Sequence, residues 1–198
     1  MIVRLLVFIS VLLPGCLVAT LLTAGAVQAD GRPAAEAYSL EISKKDRTLR
    51  VLNGETVART YRIASGRGGS GDKFQRGDNR TPVGVYRIVD FNERSRFELF
   101  MRLNYPNVKD AFYGLKNGLI TRPEFDAIVA ALKQGATPPQ NTPLGGAIGI
   151  HGIGDVTHEK LRIHDALDWT EGCIALTNAD IMDLRNYVSV GTRVEIRE

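Results

Sequence analysis

The chain has 198 residues, and its 25 Lys and Arg face 22 Asp and Glu, for a net charge of +3. The basic residues are dispersed among acidic ones, which excludes the clustered positive stripe that nucleic acid requires. The length allows one domain with a real core and is short for two.

Arg4 is the only charged residue in Met1–Ala29, and an apolar run ends at Val27-Gln28-Ala29. Small residues there predict a secretory signal cleaved after Ala29, while the length of the run also suits retention as a membrane anchor. Leu13-Pro14-Gly15-Cys16 loosely resembles a lipoprotein signal, which Pro14 fits badly. The protein is therefore expected to be exported, with the periplasm as its setting and membrane contact only if the segment stays. Cleavage leaves one cysteine, Cys173. In an exported chain a lone cysteine is a small buried hydrophobe, an intermolecular disulfide partner or a reactive thiol.

Residues 30–37 form a short Pro/Ala-containing lead to a domain over 38–198. Leu40 and Ile42, then Leu49 and Val51, alternate with polar neighbours around the turn Lys44–Arg47. This predicts two strands with one buried face, and Asn53-Gly54 turns into a third over Thr56–Ile63. Ser65–Gly84 is a Gly-rich connection without the Gly-Lys-Ser/Thr of a nucleotide-phosphate loop. Its composition suits a mobile loop; the functional alternative is a loop bordering a substrate groove. Strands are expected over Gly84–Phe91 and Phe97–Leu103.

Val108–Leu115 predicts a short helix ended by Gly118. Thr121–Glu124 forms a capping box for a second, whose Phe125, Ile128, Val129 and Leu132 share one face assigned to core packing. These helices are expected as a flap over one side of the sheet. Ala136–Gly146 is an irregular connection into a strand over Ala147–Ile150. Thr177–Asp180 caps a last helix with Ile181, Leu184 and Val188 on one face, and Thr192–Ile196 reads as a closing strand. The fold class expected is mostly β with inserted helices.

Ala147–Leu176 contains all three histidines and Cys173. His151, ending a strand, can take the thiol proton and return it to a leaving amine. Gly152 leaves space for substrate, and its carbonyl can orient the imidazole. The N–H groups of Glu171, Gly172 and Cys173 are oxyanion-hole candidates. A helix N-terminus just beyond Cys173 is expected to depress the thiol pKa. His158 and His164 read as surface or hydrogen-bonded histidines. The separations of seven, six and nine residues from His151 to Cys173 match no compact zinc motif. No metal or cofactor is expected. Trp169 is a core aromatic or a groove wall, and Asp155, Asp165 and Asp168 read as turn residues.

Ile150-His151-Gly152 followed by Thr170–Leu176, with Gly77–Ile88 upstream, resembles the L,D-transpeptidase catalytic-domain (YkuD-like) family over most of Tyr38–Ile196. The resemblance implies a β-sandwich-type catalytic domain acting on peptidoglycan. Cys173 would take an acyl group from a tetrapeptide stem after its third residue, release the terminal D-amino acid, and pass the acyl group to an amine. A second stem, a free D-amino acid or an envelope lipoprotein are the acceptors implied, and carbapenems would acylate Cys173. Cys173, His151 and Gly172 match the pattern, with Thr170 at its Ser/Thr position. Ala175 departs from it, standing where many members have Arg or Asn, and the His151–Cys173 spacer is longer than in the commonest members. Arg80 and Arg162 are candidates for the missing substrate contact, beside Trp169 and Thr170. The alternatives are a cysteine-dependent peptidoglycan amidase, L,D-carboxypeptidase or endopeptidase, and a noncatalytic wall-binding protein.

Overall fold

Strand alternation builds the first sheet as the sequence predicts. The computed structural model describes residues 38–198; the expected signal or anchor over 1–29 and the lead over 30–37 lie outside the described residues. β1 (Tyr38–Ser43), β2 (Thr48–Asn53) and β3 (Thr56–Arg62) form an antiparallel meander. Leu40, Ile42, Leu49 and Val51 are fully buried on its inner face. β4 (Gly84–Ser95) and β5 (Glu98–Leu103) follow, then α1 (Val108–Lys116) and α2 (Arg122–Lys133). β6 (Gly149–His151), α3 (His158–Ala166), β7 (Ile174–Ala175), α4 (Asn178–Leu184) and β8 (Arg193–Arg197) complete the chain.

The strand order is β3-β2-β1-β8-β4-β5-β6-β7. The closing strand β8 pairs parallel with β1 and antiparallel with β4, placing the two ends of the domain side by side. β4 pairs with β8 through Gly84–Arg87 and with β5 from Ile88 onward, with register shifts between Ile88 and Asp90 and between Asn92 and Ser95. Such bulges bend a strand, so one long strand redirects the sheet toward β6 and β7. Beyond β3, Ala64 exchanges two hydrogen bonds with Ala175 of β7, at 3.0 and 2.8 Å. The fold is mixed α/β, dominated by this eight-stranded sheet, with helices inserted. The order is that of one continuous sheet and does not itself describe a sandwich.

α1 and α2 carry capping boxes at Asn107/Asp110 and Thr121/Glu124 and pack through Ala111, Ile120, Ile128 and Leu144, a small core separate from that of the sheet. The Phe125–Leu132 stripe therefore packs on α1, as its periodicity indicated. The Tyr86 hydroxyl anchors α1 to the sheet by donating to Asp110 Oδ2 at 3.0 Å. α3 falls in the His151–Cys173 spacer and buries only His164. In place of an apolar face it is held by its C-terminal carbonyls. Arg47 donates to those of His164, Asp165 and Leu167, and Arg62 to that of Asp165, at 2.7–3.0 Å. Cations are favoured at that end of a helix. Among the described residues no helix is long and apolar enough to cross a membrane.

Candidate active site

β6 and β7 run parallel, with Ile150 opposite Ile174 and His151 opposite Ala175. Residues two apart on a strand face the same way, so Cys173, two before Ala175, starts from the same side of the sheet as His151. Both line one groove of about 680 Å³ with Phe97, Phe100, Trp169 and Thr170.

His151 is buried, its ring 4.3 Å from that of Phe97 and edge-on to Trp169 at 6.1 Å. Its Nδ1 is 2.6 Å from the Gly152 carbonyl. A carbonyl only accepts, so Nδ1 carries the proton and Nε2 keeps its lone pair. Burial lowers the imidazole pKa below its ordinary value, outweighing the opposite effect of the Gly152 carbonyl. Gly152 is sterically required: a Cβ there would lie 2.5 Å from the Phe97 carbonyl oxygen and 2.8 Å from Asn178 Oδ1.

The Cys173 thiol donates to the Ala147 carbonyl at 3.3 Å, and among the described residues it makes no hydrogen bond to His151. Ala147 adopts φ 54° and its N–H donates to Gln140 Oε1, a left-handed conformation held from outside the strand. Burial pushes the thiol up to about 11, against the Gly149 backbone and the Lys73 charge, which favour the thiolate. The depression expected from a helix N-terminus is not found, because β7 separates Cys173 from Thr177, the N-cap of α4. At neutral pH the groove therefore holds a neutral thiol and a neutral imidazole. Alkylation of Cys173 by iodoacetamide is accordingly expected to accelerate with pH up to about 11. A plateau near neutrality, read by intact-mass kinetics, would instead reveal a preformed thiolate.

Thr170 shapes the turn that presents Cys173. Its hydroxyl donates to the Cys173 carbonyl at 2.7 Å and accepts from Gly172 N–H at 3.1 Å. The Gly172 N–H is therefore spent within the turn. Among the described residues the N–H groups of Glu171 and Cys173 have no hydrogen-bond partner, which leaves two of the three oxyanion candidates open. Gly172 sits at φ +127°, and a Cβ would fall 2.7 Å from the Arg80 carbonyl oxygen. Gly172→Ala is expected to cost about 2 kcal/mol or more, read as a lower urea midpoint at unchanged slope.

Of the expected substrate contacts, Trp169 and Thr170 line the groove and Arg80 and Arg162 do not. Arg80 turns back into its own loop, Nε donating to the Gly68 carbonyl at 3.2 Å, and Arg162 is exposed on α3. Ala175 is fully buried, with both backbone groups committed to Ala64. Positive charge in the groove comes from residues that the sequence reading passed over: Arg67, Lys73, Arg76 and Arg96. Three of them belong to the Gly-rich connection. Asp78 organises that loop by accepting from the N–H groups of Phe74, Gln75 and Arg80 and from Lys73 Nζ at 2.6 Å. Burial opposes the Asp78 charge, but Lys73 and these N–H groups hold its pKa below the ordinary value. This pinned loop is the groove border that its composition offered as the second choice. His158 is exposed, and His164 is buried with Nδ1 3.5 Å from Trp169 Nε1. Neither joins the groove.

Residues 37–196 match the family model described as the L,D-transpeptidase catalytic domain, YkuD. Comparison with curated proteins finds no match. Among solved structures, the chain is similar to the helical cell shape determining protein Pgp2 from Campylobacter jejuni at 24% identity and TM-score 0.51. The alignment covers 82% of this chain and 48% of that one. A point variant of the same protein gives 24% identity and TM-score 0.53, covering 82% and 47%. These likenesses are of fold, and the chain spans about half the length of these solved relatives. With the model matched across nearly all of the described residues, the chain belongs to the L,D-transpeptidase catalytic domain (YkuD) family.

Proposed function

We propose that the protein is an exported peptidoglycan L,D-transpeptidase in which Cys173 is the nucleophile and His151 the base. The observation that carries this reading is the Nδ1 bond to the Gly152 carbonyl, which leaves Nε2 basic in the groove that Cys173 lines. In the proposed cycle, Nε2 takes the thiol proton as Sγ bonds the carbonyl carbon of the third stem residue. The oxyanion is met by the Glu171 and Cys173 N–H groups. Collapse breaks the C–N bond, and His151 returns the proton to the departing D-amino acid, leaving a thioester. An acceptor amine then attacks, loses its proton through His151 and releases Cys173 as the thiol.

Arg67, Arg76 and Arg96 suit the carboxylates of a stem peptide. The Ala64–Ala175 bridge supports a sandwich-type wrap of the sheet around this site. The periplasm is the setting proposed, with a second stem, a free D-amino acid or an envelope lipoprotein as acceptor. Incubation with disaccharide-tetrapeptides and an amine acceptor, with products read by mass spectrometry, tests the reading. Cross-linked or exchanged stems support it; products that gain only water would reassign the protein as a hydrolase, and wall binding without product as a noncatalytic binder.

A further inference from the structure

A second cavity, of about 280 Å³, lies between the Gly-rich loop and α1, lined among others by Asp72, Lys73, Phe74, Asp110, Tyr113 and Asn117. Lys73 also lines the active-site groove, so the two spaces border the same residue. Two rings on this lining are exposed, Phe74 at 50% and Tyr113 at 44%, and Phe112 holds Tyr113 edge-on at 5.8 Å. Asp110 is only 4% exposed. Its Oδ2 accepts from Asn107 N–H and the Tyr86 hydroxyl, at 2.8 and 3.0 Å. Its Oδ1 faces Lys109 Nζ at 3.3 Å as an ion pair and, among the described residues, accepts no other contact.

Exposed ring faces beside buried hydrogen-bonding groups suit a ligand that is itself amphipathic, with apolar faces and polar edges. A pyranose has that form: C–H groups on its faces and hydroxyl and amide groups at its rim. An ammonium ligand suits the cavity less, because Lys109 already pairs with both Asp72 and Asp110. We infer that this cavity binds a pyranose ring of the amino-sugar strand, next to the groove that takes the stem. The inference rests on the function proposed above. Three extended stem residues span about 10 Å, so the sugar bearing a stem engaged at Cys173 must lie close to the groove, where the shared Lys73 puts this cavity.

The test compares Cys173 acylation by a free tetrapeptide and by a disaccharide-tetrapeptide in wild type, Phe74→Ala and Tyr113→Ala. Each variant is expected to lower kcat/KM for the disaccharide-tetrapeptide roughly fivefold to tenfold and leave the free tetrapeptide unchanged. In parallel, stem-free disaccharide is expected to shift the NMR amide signals of Tyr113 and Asn117. Equal effects on both substrates, or no effect, would overturn the inference, as would shifts caused by a diamine and not by the disaccharide. If neither substrate acylates wild type, the proposed reaction fails, while the stem-free titration still decides the cavity.

Discussion

Cys173→Ala is expected to abolish stem acylation, a loss of at least about 10⁴-fold, while leaving the fold intact. The other polar groups in the groove do not replace it. The Thr170 hydroxyl is committed to the Cys173 carbonyl, and Lys73 to Asp78 and the Gln75 carbonyl. Cys173→Ser should fare little better, because an imidazole whose pKa burial has lowered is a weak base for a hydroxyl. The thiol's hydrogen bond, to the Ala147 carbonyl, is a weak one, so Cys173→Ala should move the thermal midpoint by only a few degrees. Single-turnover acylation and circular dichroism check the two halves separately. Substantial acylation of Cys173→Ala would place the nucleophile elsewhere.

His151→Gln is expected to lower acylation by about 10²–10⁴-fold at neutral pH and to change the shape of the pH profile. In wild type the rate should fall as pH drops through the His151 pKa, which lies below 6.5, because a protonated imidazole cannot accept the thiol proton. Above that limb it should stay level until the thiol itself ionises, near 11. In His151→Gln the acidic limb should vanish, and the rate should follow the thiolate fraction, rising about tenfold per pH unit. The deficit therefore narrows at high pH, a signature that mere loss of packing around Phe97 would not produce. A pH-independent deficit would count against the base.

The sheet was legible chiefly through β1, β2 and β8, whose apolar residues alternate on one face. Leu40 and Ile42, Leu49 and Val51, and Val194 and Ile196 are all buried as alternation requires. The capping box at Thr121–Glu124 was legible because its signal is local, whereas the one at Asn107/Asp110 was not anticipated. Nor was α3. His158–Ala166 has no apolar stripe, and what holds it comes from far away in the chain, Arg47 from the turn between β1 and β2 and Arg62 from the end of β3.

The active site shows the same division. Cys173, His151 and Gly152 lie in one stretch whose residue types announce their chemistry, and parallel pairing of β6 and β7 accounts for the shared side of Cys173 and His151. The charge of the groove was hidden because a Gly-rich loop shows no periodicity. Asp78 turns that loop into a fixed wall, bringing Lys73 and Arg76 inward while Arg80 folds back. The direction of the thiol pKa was also out of reach, since it depends on burial that no motif records.

The most direct test is intact-protein mass spectrometry of the wild type, quenched in acid during reaction with disaccharide-tetrapeptide and then mapped by proteolysis. Expected is a mass increase equal to the stem acyl group after loss of its terminal D-amino acid, located on Cys173 and discharged by an added amine. An adduct on any other residue, or turnover of stems with Cys173 never acylated, would contradict it.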